Sequence, residues 1–170
     1  AYEIYQCDWS SDVCSSDLIV KVSTNSNMNN PIITSSAQSG TTYTAASLVS
    51  GTTYYWQVTA TDAAGNSGTS EIWSFTYDDE APSVSLSSPI DNAKVNTGDL
   101  SWNPTTDSVG LATNPYIVKV STNSNMNNPI ITSSAQSGTT YTAASLVSGT
   151  TYYWQVTATD AAGNSGTSEI

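Results

Sequence analysis

The stretch LVSGTTYYWQVTA, residues 146–158, decides the fold of this 170-residue chain. From Tyr152 onwards every second residue is apolar, so that Tyr152, Trp154 and Val156 share one face of an extended strand. The residues between them make the other face more polar. This period of two is typical of a strand half-buried in a core, and the Ser-Gly pair before it favours a bend. We therefore predict a turn followed by a core strand.

Further segments with the same alternation surround this strand. Residues 116–122 place apolar side chains opposite Lys119, and residues 100–102 repeat the pattern over a shorter length. Asn, Pro, Gly and Ser cluster at 127–129 and 162–166, where they favour turns over continued pairing. No segment keeps a helical period. Several short strands separated by turns predict an all-β fold, an antiparallel β-sandwich.

Residues 19–72 recur without substitution as residues 117–170, which makes a tandem repeat offset by 98 residues. Solenoid and propeller units run at roughly 20 to 50 residues, and small domains begin near ~50 to 100, so this period is that of a domain. Surface positions tolerate substitution, and unbroken identity through them indicates either a recent duplication or an artefact of sequence assembly. The sequence predicts two like domains.

The two copies begin and end at different points of the repeat. Residues 1–18, which precede the first copy, have no counterpart before the second. Only the first copy continues into the alternating strand 73–77, in which Trp73 and Phe75 share a face and are expected to cover the core. The predicted boundaries are a tail at 1–18, a repeat without its first two strands at 19–78, and a repeat without its last strand at 79–170.

The spacing Leu146-x-x-Gly149-x-x-Tyr152-x-x-x-Val156 resembles the motif of the fibronectin type III family. The same spacing occurs again in the first copy, at Leu48, Gly51, Tyr54 and Val58. The resemblance implies an Ig-like β-sandwich in which Leu146 closes the bottom and Gly149 permits the tight turn. It implies a tyrosine corner, with the Tyr152 ring buried and its hydroxyl bonded back to the turn. Core positions are implied for Trp102, Tyr116 and Trp154.

The same resemblance assigns strands to both copies. In the second copy they are A near 83–87, B at 99–103, C at 116–122, C′ near 130–134, E at 139–143 and F at 150–160, with G missing. In the first copy strands C through G are kept, the last at 71–77, and strands A and B are missing.

The resemblance is to fibronectin type III domains of bacterial secreted and cell-surface proteins, which serve as spacers, adhesins and accessory modules. It implies a non-catalytic, extracellular spacer array whose partners are the neighbouring repeats of the same chain. The alternative is an adhesive or carbohydrate-binding accessory module of a secreted enzyme or adhesin, with surface glycans or proteins as partners.

Residues 1–18, AYEIYQCDWSSDVCSSDL, resemble a translated sequencing-library adapter with a variable index at 5–7. Both cysteines of the chain lie in this segment. We predict that it contributes no evolved packing, although residues 2–9 have enough β-propensity to occupy the vacant strand B position. A native N-terminal strand is the alternative. The segment has no basic and apolar regions of the kind that form a signal peptide.

The composition excludes several classes of function. Outside residues 1–18 there remain ten acidic residues and three lysines, which leaves seven net negative charges. Binding of nucleic acid through a basic patch is therefore excluded. No apolar run approaches the ~18 residues that span a bilayer, so membrane insertion is not expected. No histidine, and no cysteine outside the tail, is present to act as a base or nucleophile, and no close pair of carboxylates lies on a recognisable cleft strand, so we expect neither an enzyme nor a cofactor.

Three features are candidate binding sites. Asp78, Asp79 and Glu80 lie between the copies and could supply oxygen ligands to calcium, but their spacing is not that of a dedicated calcium loop. A solvated acidic linker is the favoured interpretation. Tyr153, on the outer face of strand F, could stack on a sugar, although lone exposed aromatic residues are common. The loop at 160–166 lies where some family members carry an adhesion motif, but it has no Arg-Gly-Asp sequence.

Overall fold

The computed structural model describes residues 17–170, and the chain divides into two compact units. Unit 1 ends at Tyr77, and unit 2 comprises residues 78–170. In the described residues every helix or strand element is a β-strand, and all strand pairings are antiparallel. The all-β fold class predicted from the alternating sequence pattern is confirmed.

Unit 1 forms a single sheet in the part of it that is described. Its strands are β1 (Asp17–Ser23), β2 (Ile33–Thr34), β3 (Thr52–Thr61), β4 (Ser67–Thr69) and β5 (Trp73–Tyr77). The sheet order is β2-β1-β3, and β4 and β5 pair one after the other along the remaining edge of β3. Its buried cluster is small and centres on Val20, Val22 and Tyr54.

Unit 2 is a two-sheet sandwich. Its strands are β6 (Leu86–Ser88), β7 (Asp99–Trp102), β8 (Leu111–Ser121), β9 (Ile131–Thr132), β10 (Thr140–Thr142), β11 (Tyr153–Asp160) and β12 (Ser165–Thr167). One sheet has the order β10-β7-β6, and the other has the order β12-β11-β8-β9.

The core of unit 2 lies between its two sheets. Val118, Val156 and Ala158 are fully buried there because β8 and β11 turn their apolar faces toward the shorter sheet. From that sheet Trp102 packs edge-on against Tyr116, with ring centroids 5.4 Å apart. The alternation of apolar residues in the sequence thus corresponds directly to the inner faces of the sandwich.

Several strand boundaries differ from the sequence prediction. Strand β8 begins at Leu111, five residues before the predicted start of strand C, because Leu111 pairs with Asp160 beyond a bulge. The predicted strand G of the first copy corresponds to β5, whereas β12 at Ser165–Thr167 is the equivalent of β4, a short strand that the sequence did not predict. In the first copy the predicted strand E is not formed at residues 42–44. The equivalent β10 is a strand because it pairs with β7, and the described part of unit 1 has no strand equivalent to β7.

The predicted tail meets the fold at its last two residues. Asp17 and Leu18 begin β1 and pair with Thr61 and Ala60 of β3. Backbone pairing of this kind requires no particular side chain, so it follows from the position of the two residues next to a native strand. Residues 1–16, including the segment 2–9 expected to have β-propensity, lie outside the described residues.

Candidate functional site

The predicted motif residues form the same turn in both units. The Tyr152 hydroxyl accepts a hydrogen bond from the Val147 backbone N–H at 2.9 Å. The Tyr54 hydroxyl accepts one from the Val49 N–H, also at 2.9 Å. In each turn the glycine of the motif has a positive φ, 79° at Gly149 and 74° at Gly51, which a residue with a Cβ adopts at a cost. Leu146 and Leu48 pack against the buried clusters of their own units.

The other predicted structural residues have different degrees of burial in the two units. In unit 2 Trp102, Tyr116, Trp154 and Val156 belong to the buried cluster. In unit 1 Val58 only packs against the edge of the smaller cluster.

The two aromatic residues of β5 line the expected face of unit 1 without being buried. Trp73 meets Trp56 edge-on at 6.0 Å, and Phe75 lies 5.8 Å from Tyr54. Trp73 nevertheless remains 64% exposed and Phe75 37% exposed. They face the position that the second sheet occupies in unit 2, and the described part of unit 1 has no such sheet.

Three carboxylates converge within unit 2. One oxygen each from Asp78, Asp107 and Asp160 lies within 4.8 Å of the other two. Asp78 opens the unit, Asp107 belongs to the loop between β7 and β8, and Asp160 ends β11. Asp79 and Glu80, which the sequence grouped with Asp78, do not belong to this group.

Asp160 is the buried member of the group, and its own turn fixes it. One carboxylate oxygen accepts the backbone N–H groups of Gly163 and Asn164 at 2.6 and 2.8 Å. The other accepts the Asn164 side-chain amide at 2.9 Å, and the same amide also donates to the Asp78 carbonyl at 3.2 Å. Burial acts to raise the pKa of Asp160, but these hydrogen bonds stabilise the charged form and bring the pKa below its ordinary value of 3.8.

The same turn exists in unit 1, where among residues 17–77 it belongs to no group of three converging acidic side chains. Asp62 accepts the Ala64 and Asn66 N–H groups at 2.9 and 2.8 Å and the Asn66 side-chain amide at 2.9 Å. The side-chain hydrogen bond from Asn66 is the largest cause that lowers the pKa of Asp62. Asp62 is exposed, whereas Asp160 is buried. The turn is therefore a local property of the sequence, and the convergence of three carboxylates is a property of unit 2.

Calcium binds oxygen ligands, and it takes six to eight of them from carboxylates, carbonyls and waters at about 2.3–2.6 Å. Three aspartates supply at most part of such a set, and both oxygens of Asp160 already accept hydrogen bonds. The sequence missed Asp107 and Asp160 because they lie 53 residues apart in the chain and meet only in the folded unit. The one local signal was the Asp-x-x-x-Asn spacing of the turn.

The remaining candidates are surface features. Tyr153 is half-buried on β11, opposite Ser121 of β8. An open depression of about 310 Å³ lies on the shorter sheet of unit 2 and is lined by Leu100, Tyr141 and polar neighbours. In the portion of the chain with described coordinates, no helix is long and apolar enough to cross a bilayer.

A match to a protein family agrees with this architecture. A family model described as "Rha78A-like, N-terminal immunoglobulin domain" matches residues 8–77 and again residues 89–170. A comparison with curated proteins gives no match. Among solved structures, the crystal structure of the chicken CNTN1 FN1-FN3 domains is similar at a TM-score of 0.47 and 16% sequence identity. The alignment covers 92% of this chain, which spans only 57% of that one.

Proposed function

This chain belongs to the family of Rha78A-like N-terminal immunoglobulin domains, and on that premise we propose that it is a non-catalytic spacer. Its Ig-like fold is that of a structural or accessory domain. In the proposed role, tandem repeats hold another module of an extracellular or cell-surface bacterial protein away from a surface. The function of each repeat is then its length and its resistance to unfolding.

The observation that carries the proposal is that the family match occurs twice in tandem, each time over a unit with its own buried cluster. A domain that is repeated in a chain adds distance, whereas a single specific binding site does not require a second copy. The motif residues support this role because they are used for packing and turns. The Tyr152 and Tyr54 hydroxyls, for example, are both engaged by their own turns.

The hydrogen bonds and the lowered pKa of Asp160 argue against a role for it as a general acid. A general acid must be protonated near neutral pH, and hydrogen bonds from its own turn lower the pKa of Asp160 instead. Its oxygens are directed at Asn164 and Gly163 and are held within the turn. Asp160 therefore stabilises the turn between β11 and β12, and we propose no reaction for the carboxylate group.

The spacer role predicts that particle length grows with repeat number. Strands of ~10 residues rising ~3.4 Å per residue give roughly 35 Å for each added repeat. Small-angle scattering on proteins of one, two and three complete repeats measures this increment. A maximum dimension that does not grow with repeat number would contradict the spacer role.

Calcium provides a second arm of the same experiment. Because Asp78, Asp107 and Asp160 supply only part of a calcium ligand set, millimolar calcium is expected to leave both the particle length and the melting temperature unchanged. A calcium-dependent rise in melting temperature that the double variant Asp78→Asn and Asp79→Asn abolishes would show that the segment binds the ion. Magnesium at equal ionic strength separates a specific effect from screening.

The second candidate is a carbohydrate-binding or adhesive accessory module. It is favoured by Tyr153 and its equivalent Tyr55, which are partly accessible on the polar faces of β11 and β3. A glycan array probed with one complete repeat tests it, with Tyr153→Ser as the matched variant. Binding that this substitution removes would favour the accessory role over the spacer.

Residues 1–18 resemble a translated sequencing-library adapter, and their origin is a further proposal. We infer that the native repeat continues in a different sequence before Ile19. Sequencing reads that cross this junction test the inference. Reads in which genomic sequence runs unbroken through residues 1–18 would show that the segment is native.

A further inference from the structure

The first residues of unit 2, the entry segment 78–82, lie against the β11–β12 hairpin of the same unit. The Asn164 side-chain amide donates to the Asp78 carbonyl at 3.2 Å. At the other end of the segment Pro82 is buried, and its carbonyl lies so close to Gly166 of β12 that a Cβ there would collide with it. The entry segment is therefore in contact with the hairpin at both of its ends.

These contacts differ from those of a solvated linker, in which charged residues repel one another and extend into water. One carboxylate oxygen of Asp78 lies within 4.8 Å of one from each of Asp107 and Asp160, so the side chain of Asp78 lies against the unit as well. Asp79 and Glu80, in the middle of the segment, are exposed. The segment is thus held at its ends and exposed between them.

The residue before the entry segment is held by unit 1. Tyr77 is the last residue of β5 and pairs with Thr52 of β3. Its carbonyl accepts the Gly51 backbone N–H at 2.9 Å, and its side chain packs against the buried cluster of unit 1. Unit 1 therefore holds the chain up to and including the Tyr77 carbonyl.

Very little backbone freedom remains between these two points. A peptide group is planar, so the Tyr77 carbonyl and the Asp78 N–H move as one body. The Asp78 carbonyl, which Asn164 holds, belongs to the next peptide group. Only the φ and ψ angles of Asp78 separate the peptide group held by unit 1 from the one held by unit 2.

We propose that the β11–β12 hairpin is a docking site for the entry segment, with Asn164 and Gly166 as its positioning residues, and that Asp78 is the hinge between the units. Asn164 holds the carbonyl at the start of the segment, and Gly166 leaves room for the carbonyl at its end. The proposal rests on the spacer role for its biological meaning, because a docked entry segment and a hinge of one residue limit the bending of a spacer.

Proteolysis after Glu80 measures the docking without any substitution. A glutamate-specific protease must accommodate several residues on both sides of Glu80, so the segment has to leave the hairpin before it is cut. We expect the Glu80–Ala81 bond of the full chain to be cut at least about tenfold more slowly than that of a synthetic peptide of residues 76–84, because cleavage follows the population of the released segment. Equal rates would overturn the docking, even where particle length grows with repeat number as the spacer role requires.

Matched substitutions in the two units separate docking from the stability of the turn. The Asn164 amide donates to the Asp78 carbonyl in addition to its own turn, whereas the equivalent Asn66 amide donates within its own turn. Asn164→Ala is expected to accelerate cleavage after Glu80 about three- to tenfold, the change that one lost hydrogen bond gives. Asn66→Ala is expected to leave that rate unchanged. Acceleration by both variants, or by neither, would overturn the role of Asn164.

The equivalent glycines provide a second pair that leaves the side-chain hydrogen bonds of the turns in place. A Cβ at Gly166 displaces Pro82, whereas a Cβ at Gly68 meets nothing within 4 Å. Faster cleavage after Glu80 is therefore expected for Gly166→Ala and not for Gly68→Ala. None of these variants alters residues 79–82, so the protease meets the same bond in each. Unchanged cleavage in a folded Gly166→Ala chain would contradict the role of Gly166.

The hinge is tested by nitrogen-15 relaxation on the full chain. Residues 73–77 report on unit 1 and residues 99–102 on unit 2, because each of these segments occurs once in the sequence. With a hinge of one residue, the two units are expected to share one rotational correlation time. An insertion of Gly-Ser-Gly-Ser between Tyr77 and Asp78 adds a flexible tether and is expected to shorten the correlation times of both units. Values that the insertion leaves unchanged would show a joint that is already flexible and would overturn the hinge.

Discussion

Residues 19–72 and 117–170 have the same sequence and different environments. Val156 is fully buried between two sheets, whereas Val58 is only half-buried at the equivalent place. The tyrosines differ in the opposite sense, because Tyr54 lies beneath Phe75 of β5 and is buried, while Tyr152 is half-buried. The comparison teaches that a residue's burial here is set by which strands cover it and not by its own sequence context.

The local hydrogen bonds are alike in the two copies. Ser23 and Ser121 donate to the carbonyls of Asn29 and Asn127 at 3.1 and 3.2 Å. Leu18 and Tyr116 exchange backbone bonds with Gln38 and Gln136. Residues close in sequence thus adopt one structure in either environment. Matched substitutions in the two copies can therefore separate local effects from effects of the covering strands.

The largest expected difference comes from Trp154→Ala compared with Trp56→Ala. Removing a buried tryptophan costs about 3–5 kcal/mol through lost burial and the cavity left behind. We expect that range for Trp154, which is nearly buried, and about half of it for Trp56. Hydrogen exchange reports the two units separately through peptides that occur once in the chain, 73–77 for unit 1 and 99–102 for unit 2. Equal losses would mean that the second sheet does not add to the burial of this position.

Alanine substitutions at the equivalent glycines of β4 and β12 are expected to change stability in opposite directions. A Cβ at Gly166 would collide with the Pro82 carbonyl, whereas a Cβ at Gly68 meets nothing within 4 Å. Gly166→Ala is therefore expected to destabilise unit 2 by about 1–3 kcal/mol, as overpacking does. Gly68→Ala is expected to be neutral or to stabilise unit 1 by up to about 1 kcal/mol, because it restricts the unfolded chain. Urea denaturation of both variants checks this, and a destabilising Gly68→Ala would contradict it.

The tyrosine corners are expected to differ less. Tyr54→Phe and Tyr152→Phe each remove one hydrogen bond to a backbone N–H, from Val49 or Val147. A lost partner for a buried group costs about 1–3 kcal/mol, and a partly hydrated group loses less, about 0.5–1.5 kcal/mol. The Tyr54 variant should therefore lower the stability of unit 1 more than the Tyr152 variant lowers that of unit 2. The reverse order in thermal melting would show that β5 does not seal the Tyr54 site.

The smallest expected effects concern stability at acidic pH, where the turns of Asp62 and Asp160 are compared. The pKa values of Asp62 and Asp160 are both lowered in the folded chain, so each charged carboxylate stabilises its turn above the unfolded value near 3.8. That contribution is lost as the pH falls through the lower folded pKa. Asp62→Asn and Asp160→Asn should each flatten the loss of stability below about pH 4. Titration of the two carboxyl groups by NMR checks the direction, and a raised pKa at either would contradict it.

The period of two in residues 152–158 was sufficient to predict the strand, its buried face and the all-β class, because that pattern depends only on residues that are close in sequence. The tyrosine corner and its glycine were equally accessible, since the turn closes within six residues. The short strand β12 and the start of β8 at Leu111 could not be predicted from the sequence. Those boundaries depend on pairing with residues far away in the chain.

The sequence by itself determined the longer strands, the turns and the hydrogen bonds within them, and for that reason they recur in both copies, whereas the short strand β10 forms only where β7 pairs with it. Only the tertiary structure decided which identical side chains are buried, and that Asp107 and Asp160 meet Asp78. The physical reason is the distance along the chain over which each kind of interaction acts. Backbone geometry and turn hydrogen bonds act over a few residues, whereas burial and charge proximity are set by whichever distant strands fold against the site.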